Sequence, residues 1–438
     1  MFIISKILSD FLEIREILTN FARYYDYVLN TNRMTKQKKI MFLGGIYYSI
    51  PAIEVAHRHG YHVITVDNIP GNIAHRYSDE YHNVSIIDKE AVLNLAQRIS
   101  IDGIVSYGVD PGVVTAAYVA EKMNLPFQCS YESARILQDK SLFRKFLSDN
   151  GFNVPYAKGY SNVEEAINDA SLFKWPVIVK PVDSAGSKGI TKVDHPKDLR
   201  KAISTALDYS HSAHFIIEDF LDLLGYQSTA DCFTVNGKFS YADYSDQIFD
   251  SHAANPFVPT MRIWPSTMKK EHQDYLTKEL QRLFTLLKCK SGIYNIETRI
   301  CTNGKAYIME VTPRAGGNRL AEIERLGTGI DLIEAEVCKA VNDTIKEIKM
   351  PQYDACYMGY TMHSLETGIF QSIEYQQDFK SQHILDQSIY LKECDAIKPL
   401  TGADKAVGDI LLKFKDREEC NSYLPELSKY IQIKVKQV

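Results

Sequence analysis

The sequence of 438 residues lacks the cysteine and charge patterns that mark several common protein classes. Its eight cysteines are scattered, with no C-x-x-C pair, which argues against a disulfide framework or zinc site and favours reduced thiols in a cytoplasmic protein. The net charge is -5 and there is no long basic run, so nucleic acid is not an expected partner. Repeats and low-complexity tracts are also missing. The length and the 45% hydrophobic content predict several globular domains.

A long uninterrupted hydrophobic run is absent too. Residues 2–21 are apolar-rich, but charged residues interrupt them, so they fit neither a membrane span nor a signal-peptide core. Their apolar positions recur at helical spacing and predict an amphipathic helix that docks on the body or on a second subunit, as in a homodimer. Its mixed charges disfavour a membrane partner. Residues 30–39 are predicted to be a linker, and Met34 is an alternative start.

The glycine pattern of a dinucleotide-binding loop is missing from the first strand–helix–strand unit. Its first strand ends in Gly44 and Gly45 without the G-x-G-x-x-G spacing, which argues against nicotinamide binding. We predict a small parallel α/β domain over residues 38–130. Asp110 follows a later strand of this unit, where it either contacts a ligand or caps the next helix.

The spacing of a phosphate-binding P-loop is missing as well. Instead, a predicted strand ending in Lys180 is followed by a loop of small residues, 183–189, that contains Lys188. We call residues 183–189 the small-residue loop. Its backbone N–H groups can contact phosphate oxygens, and Lys188 adds positive charge. Taken alone, an ordinary hairpin turn with a solvated lysine is the simpler explanation.

The sequence does contain two acidic residues on a predicted β-hairpin. Glu297 and Glu310 lie on two alternating strands that are separated by the turn signal at residues 302–304. A carboxylate among apolar neighbours is costly unless it is paired, so the two indicate cations such as Mg²⁺. Arg314 follows, where its fork could hold a transferring phosphoryl group. The alternative is an ordinary hairpin whose carboxylates face solvent.

Three further stretches complete the prediction. Residues 215–221 form a predicted strand whose end can offer hydrogen bonds to a flat heterocycle. Residues 244–266 are predicted to be a long irregular stretch, in which His252 and Arg262 shape a substrate pocket. A surface position in the loop is the alternative for His252. From residue 354 onward the chain is predicted to be β-rich, without a catalytic constellation.

In chain order these motifs resemble the ATP-grasp superfamily. They are Lys140 on a helix, Val-Ile-Val-Lys180-Pro, the small-residue loop, Ile-Ile-Glu218-Asp-Phe-Leu, Tyr-Asn-Ile-Glu297 and Met-Glu310-Val-Thr-Pro-Arg314-Ala-Gly-Gly-Asn. The branch that they resemble most includes biotin carboxylase, the large subunit of carbamoyl-phosphate synthase and the amino-acid ligases. The resemblance implies a multidomain α/β and α+β protein. Its expected parts are a helical extension and linker (1–37), a parallel α/β domain (38–130), an ATP-grasp domain (131–345, lid 155–217) and a β-rich C-terminal domain (346–438).

The resemblance also implies roles for the matching residues. The residues expected to bind ATP are Lys140, Lys180, Ser184, Gly186, Ser187, Gly189, Glu218, Asp219, Phe220, Leu221 and Gln227. The expected ligands of two Mg²⁺ ions, or of Mn²⁺, are Glu297, Glu310 and Thr312. The expected catalytic residues are Arg314 and Lys188. The residues expected near the acceptor substrate are Gly316, Gly317, Asn318, His252 and Arg262.

Two positions depart from the family pattern. Many members carry Asn where this chain has Thr312, but a hydroxyl can still coordinate or hydrogen-bond, so metal binding with changed geometry is expected. Gln227 stands where many members have a glutamate that contacts ribose. Its carbonyl can accept the same hydrogen bond without charge, so we expect weaker ribose selectivity and retained binding.

The function implied is an ATP-dependent carboxylate–amine ligase of the amino-acid type, which forms an acyl phosphate and releases ADP and phosphate. Small-molecule carboxylates and amines are therefore the expected substrates. One alternative is carboxyphosphate or carbamoyl-phosphate chemistry with bicarbonate, although the chain has no Met-Lys-Met biotin-carrier motif. Another is a non-catalytic nucleotide-binding scaffold, against which the complete set of charged residues argues.

Overall fold

The computed structural model describes residues 37–184 and 186–437. The helix predicted over residues 2–21 and the alternative start at Met34 lie outside the described residues. The first unit consists of β1 (Lys39–Leu43), α1 (Ile50–Arg58), β2 (His62–Val66), β3 (Glu80–His82), α2 (Lys89–Ile99), β4 (Gly103–Val105) and α3 (Val113–Met123). As predicted, its strands form a parallel sheet, in the order β3-β2-β1-β4. Helices pack on both faces of this sheet, which explains why β1 and β2 are almost continuously apolar.

The second unit is an antiparallel sheet with a small core of its own. It consists of β5 (Ala157–Tyr160), α6 (Val163–Asn168), β6 (Val177–Pro181), β7 (Thr191–Val193), α7 (Leu199–Asp208) and β8 (Phe215–Asp219), and it follows helices α4 (Tyr131–Gln138) and α5 (Lys140–Asp149). The strand order is β5-β8-β6-β7. Because Ile178 pairs with Glu218 across β6 and β8, Lys180 and Glu218 are near neighbours.

The third unit contains the predicted hairpin. Its elements are β9 (Ser228–Val235), β10 (Lys238–Tyr241), β11 (Asp246–Phe249), β12 (Pro259–Trp264), α8 (Lys270–Leu286), β13 (Gly292–Ile300) and β14 (Ala306–Thr312). Four of these strands form an antiparallel sheet in the order β10-β9-β13-β14, and α8 packs against it. The hairpin prediction is confirmed, because β13 and β14 pair with Glu297 directly opposite Glu310.

Helices α9 (Leu320–Thr328) and α10 (Leu332–Ala340) follow the hairpin. The chain beyond them is β-rich, as predicted, and contains β15 (Cys356–Met362), β16 (Gly368–Tyr375), α11 (Gln377–His383), β17 (Ile384–Ile389), β18 (Ala396–Ile397), β19 (Gly408–Phe414), α12 (Arg417–Tyr423), α13 (Leu427–Tyr430) and β20 (Ile431–Lys436). Two sheets are present, with the orders β11-β12-β15-β19-β17 and β18-β16-β20. No helix in the described part of the chain is long and apolar enough to cross a bilayer.

The prediction of an irregular stretch over residues 244–266 is wrong. Strands β11 and β12 occupy much of it and join the C-terminal five-stranded sheet. Two prolines of this segment lie at the ends of β12, since Pro259 begins the strand and Pro265 follows it directly. At those positions a proline costs the sheet little hydrogen bonding. The segment therefore carries Arg262 on a rigid strand.

Candidate active site

The two hairpin carboxylates form the acidic centre of the site. Glu297 and Glu310 face each other across β13 and β14, and both are half-buried. Burial, followed by the charge of Glu310, raises the pKa of Glu297 to about 7. Burial also raises the pKa of Glu310, but the charges of Lys140, Arg314 and Lys180 outweigh it and hold that pKa below its ordinary value. Two opposed carboxylates with this imbalance favour a cation between them.

The donor set fits a magnesium ion that also binds phosphate. No group of three His, Cys, Asp or Glu residues within 37–184 and 186–437 is arranged to hold a metal. Two carboxylates, completed by substrate phosphate oxygens and water, are what Mg²⁺ usually takes. Thr312 is buried two residues beyond Glu310 on β14, and its carbonyl accepts the Arg314 N–H at 2.8 Å.

A buried group of charges lies where the resemblance predicts the nucleotide. Glu218 is 1% exposed, and Lys180 Nζ is 2.6 Å from one of its oxygens while Arg144 Nε is 2.8 Å from the other. Burial raises the pKa of Glu218, but Arg144 and Lys180 outweigh it and lower that pKa to about 2. Burial lowers the pKa of Lys180 to about 8. Lys140 Nζ donates to the Ser184 carbonyl at 3.0 Å, at the start of the small-residue loop.

The small-residue loop lies against the C-terminal unit. Lys188 Nζ is 3.2 Å from Asp404 Oδ1, and Asn255 Nδ2 donates to the Ser187 carbonyl at 2.8 Å. Its tight course includes positive φ angles at Gly186, Ser187 and Gly189. Residues 186–189 of the loop are therefore docked, and Asp404 neutralises the charge of Lys188.

The end of β8 is held by the backbone around it. The Asp219 carboxylate accepts from the Lys174 N–H at 2.9 Å, and the Phe220 N–H donates to the Pro176 carbonyl at 3.0 Å. Leu221 is half-buried beyond them. This segment can line a flat ligand, although the Phe220 N–H is already engaged.

Gln227 lies beside the acidic centre. It is 5% exposed, and its Nε2 donates to Gln247 Oε1 at 2.6 Å and to Glu297 Oε2 at 3.2 Å. Its Oε1 accepts from Arg299. The structure thus connects Gln227 with the acidic centre.

Arg314 joins the hairpin to the N-terminal domain. Its Nε and NH2 lie 2.8 and 2.6 Å from Asp110 Oδ1, and its NH1 donates to the Ala315 carbonyl at 2.7 Å. Of the two roles predicted for Asp110, capping is wrong, because Gly112 is the N-cap of α3 and the Asp110 carboxylate is bound by Arg314.

The two glycines after Arg314 allow close packing. A Cβ atom on Gly316 would lie 2.3 Å from a Leu320 methyl, and one on Gly317 would lie 3.1 Å from the Tyr48 ring. The next residue, Asn318, accepts a hydrogen bond from Arg262 NH2 at 3.2 Å and donates to the Tyr48 hydroxyl at 3.1 Å. The backbone therefore places Asn318 against the first domain and against β12.

His252 lies apart from this group. Its side chain is 82% exposed, and it contacts Asp250 in a turn between β11 and β12. The structure therefore brings Arg262 to the site but leaves the imidazole of His252 at the surface.

A family model described as the ATP-grasp domain matches residues 173–322. This range contains β6, β8 and the β13–β14 hairpin, which carry Lys180, Glu218, Glu297 and Glu310. The chain contains an ATP-grasp domain. The resemblance that was identified from the sequence is confirmed.

The relatives extend the likeness beyond the ATP-grasp domain. The carbamoyl phosphate synthase large chain of Thermotoga neapolitana is 26% identical over 328 residues, which cover 72% of this chain and 29% of that protein. The chain thus spans less than a third of the length of the curated relatives it matches.

Solved structures share the fold across nearly the whole chain. An L-amino acid ligase from Bacillus licheniformis superposes with a TM-score of 0.75 at 21% identity, covering 92% of this chain and 99% of that one. A second structure is the biotin carboxylase domain of the Hydrogenobacter thermophilus 2-oxoglutarate carboxylase, in complex with MgADP, ADP and bicarbonate. It superposes with a TM-score of 0.69 at 14% identity, and the match covers 91% of each chain. At these identities the likeness establishes the fold alone.

Arg144 is a buried charged residue of this candidate site that no sequence motif indicated. It is 4% exposed on α5 and donates to the Met309 carbonyl at 2.8 Å as well as pairing with Glu218. It therefore connects the strand of Glu218 with the strand of Glu310. The available signal was its position four residues after Lys140, on the same side of a helix.

We expect Arg144→Met to raise the KM for ATP by about tenfold or more. Glu218 would keep Lys180 as its remaining close cation, and Lys180 would be less free to bind phosphate. The double variant Arg144→Met/Glu218→Gln removes the buried negative charge and should bind ATP better than the single variant. Steady-state kinetics and nucleotide titration measure both effects.

The control for this prediction is Arg135→Met, since Arg135 forms an exposed pair with Glu132 on α4. It should leave the KM for ATP unchanged. A double variant that binds ATP no better than Arg144→Met would show that Arg144 acts through packing instead of charge.

Glu297 predicts a pH-dependent stability of the metal-free protein. In the folded protein the pKa of Glu297 is raised to about 7, so Glu297 keeps a proton that it loses at lower pH in the unfolded chain. This bound proton contributes to the free energy of unfolding, and the contribution is lost as pH rises through about 7. Glu297→Gln should therefore stabilise the metal-free protein at pH 8 by about 1–3 kcal/mol, the range for a half-buried group. Urea unfolding in EDTA at pH 8 and pH 5.5 measures the difference.

The matched control is Glu374→Gln on β16, where the side chain is 63% exposed. It should leave the free energy of unfolding unchanged at both pH values. Equal stability of Glu297→Gln and wild type at both pH values would contradict the raised pKa.

Proposed function

We propose that the protein is an ATP-dependent carboxylate–amine ligase that works through an acyl phosphate. One observation supports this most directly. Lys140, Arg314, Lys180 and Arg144 all act electrostatically on Glu310, which faces a second carboxylate across the hairpin. Such a concentration of positive charge around an acidic pair suits a triphosphate with its metal ions.

The chemistry overcomes the poor leaving group of a carboxylate. A carboxylate oxygen attacks the γ-phosphorus of ATP, the bond from that phosphorus to the bridging oxygen breaks, and ADP leaves. An amine nitrogen then attacks the acyl carbon, the carbon–oxygen bond to phosphate breaks, and the amine loses a proton. Phosphoryl transfer of this kind depends mainly on positioning and charge neutralisation.

Each part of this reaction is assigned to particular residues of the chain. Glu297 and Glu310, with Thr312 beside them, would hold Mg²⁺, which neutralises phosphate charge when bound. Lys140 and Lys180 bind phosphate oxygens, and Arg314 neutralises the transferring group. The small-residue loop, with Lys188, closes over the phosphates and excludes water from the acyl phosphate.

The proposal extends to cofactors, partners and location. ATP acts with two Mg²⁺ ions, or with Mn²⁺, and the substrates are a small carboxylate of the amino-acid type and an amine. Neither nucleic acid nor a membrane takes part. The protein is proposed to form a homodimer. The unpaired cysteines suit the cytoplasm.

A second candidate is carboxyphosphate or carbamoyl-phosphate chemistry with bicarbonate as the acid. The likeness to a carbamoyl phosphate synthase large chain over 72% of this chain favours it. A non-catalytic scaffold is a weaker candidate, because the whole set of charged residues is present.

The deciding experiment measures ADP release from ATP and Mg²⁺ in the presence of pooled amino acids, simple amines or bicarbonate. Release that needs both an acid and an amine, with the amide detected by mass spectrometry, supports the ligase. Release that needs bicarbonate supports the second candidate. If no pool produces ADP, the ligase proposal is wrong and the scaffold candidate gains support.

A further inference from the structure

A buried arginine beside the acidic centre has no acidic partner. Arg262 on β12 is 5% exposed, its NH1 donates to Thr361 Oγ1 at 3.0 Å and its NH2 donates to Asn318 Oδ1 at 3.2 Å. Its Nε is buried without a hydrogen-bond partner. Among the described residues, no carboxylate lies within 4 Å of this guanidinium. A buried cation that has only neutral partners is costly, so it favours an anionic ligand.

A buried carboxylate without a cation lies in the same network. Asp409 on β19 is 1% exposed and accepts from the Thr361 hydroxyl at 2.7 Å, the Tyr390 hydroxyl at 2.5 Å and Asn318 Nδ2 at 3.3 Å. Thr361 bonds to both Arg262 and Asp409, and these bonds of 3.0 and 2.7 Å place the two charged groups within about 6 Å of each other. The protein thus holds opposite charges close together but unpaired, within reach of one small zwitterion.

Open space adjoins this pair of charges. Gly359 on β15 is buried, yet a Cβ atom there would find no atom within 4 Å. It pairs with Arg262 on one side and with Leu411 on the other, so all three side-chain positions lie on one face of the sheet. A glycine inside a strand often marks a place where a ligand approaches closely.

One side of this space is apolar. Alternation along the strands puts Trp264, Tyr357 and Leu411 on the same face as Gly359, and they form a buried apolar cluster with Leu320 of α9. The space therefore has a charged end at Arg262 and an apolar side at Leu411.

The charged end leads to the acidic centre. Arg262 pairs with Gln247 across β11 and β12, and Gln227 Nε2 bonds to both Gln247 and Glu297. A carboxylate that binds Arg262 would thus lie on the side of the site where the phosphoryl group is transferred.

We propose that this space binds the acyl-donor substrate, and that the substrate is an α-amino acid with an apolar side chain. Arg262 binds its carboxylate, Asp409 binds its ammonium group, and the side chain occupies the space over Gly359. The proposal rests on the ligase function and deepens it by naming the class of acid and the residues that select it.

Gly359→Leu tests the position of the side chain. The added side chain fills the space, so ADP release and binding with leucine should weaken at least about tenfold, while alanine should be affected less than about threefold. Gly359→Ala should give an intermediate loss with leucine. Gly71→Leu is the matched control, because Gly71 is exposed and also has open space at its Cβ position. Nucleotide binding by each variant reports whether it is folded.

Asp409→Asn tests the ammonium contact. The wild-type protein should prefer leucine over 4-methylpentanoate, the same acid without its amino group, by at least about tenfold, and the variant should lose this preference. Equal use of leucine and 4-methylpentanoate by the wild type overturns the site. The site is also overturned if Gly359→Leu uses leucine relative to alanine as the wild type does, and Asp409→Asn keeps the preference for leucine over 4-methylpentanoate.

Different results would contradict the ligase function and the amino-acid site. Leucine binding that is measured by calorimetry without nucleotide, and that is lost in Gly359→Leu, supports the site even if no amide forms. Amide formation from acids without an amino group supports the ligase and overturns the site.

Discussion

Glu310→Gln is expected to abolish ATP turnover while the protein remains folded. Glu310 faces Glu297 across the hairpin, and the neutral amide would remove the charge that Lys140, Arg314 and Lys180 surround. The site would then hold magnesium and phosphate less well, and a loss of about a thousandfold in kcat is the expected scale for such an electrostatic contact. ADP release at saturating Mg²⁺, with the acid and amine that support turnover, measures this loss.

The fold should survive this substitution, because Glu310 is half-buried and contributes little to the apolar core. Because the surrounding cations outweigh burial and lower the pKa of Glu310, its charge stabilises the metal-free fold, so thermal unfolding of the variant should match the wild type or lie slightly below it. Glu374→Gln, a strand glutamate that is 63% exposed on β16, serves as the control and should turn over normally. A Glu310→Gln variant with wild-type kcat would show that the hairpin is not the metal site.

Local patterns were sufficient to predict the acidic hairpin. Two alternating segments around a Thr-Asn-Gly turn define a pair of adjacent strands, so Glu297 and Glu310 could be assigned to neighbouring strands from the amino-acid sequence alone. The same holds for the parallel sheet of the first domain, whose strands are apolar runs between helical patterns.

Long-range partners could not be predicted in this way. Asp110 and Arg314 are separated by 204 positions, and the sequence left two roles open for Asp110. Arg144 belongs to no motif, and its role follows from burial against Glu218. Thr361 and Asp409 lie on C-terminal strands where the sequence showed no catalytic constellation. In each case tertiary packing, which no local pattern encodes, creates the contact.

The expected result for Arg314→Lys is a fall of about a hundredfold in kcat with less than a threefold change in the KM for ATP. The guanidinium is fixed by two contacts with Asp110 and one with the Ala315 carbonyl, which positions its charge. A lysine is a point charge on a flexible stem and cannot keep this arrangement. If Arg314 acts mainly in the transition state, kcat falls and the KM for ATP does not.

Asp110→Asn separates the charge of Arg314 from its contact with the first domain. The amide oxygen can still accept a hydrogen bond from Arg314, but the ion pair is lost and the arginine keeps its own charge. We therefore expect Asp110→Asn to lose less than about tenfold in kcat, well short of Arg314→Lys. Equal losses in the two variants would mean that Arg314 serves to dock the N-terminal domain. Equal losses of kcat and nucleotide affinity in Arg314→Lys would mean that it binds ATP in the ground state.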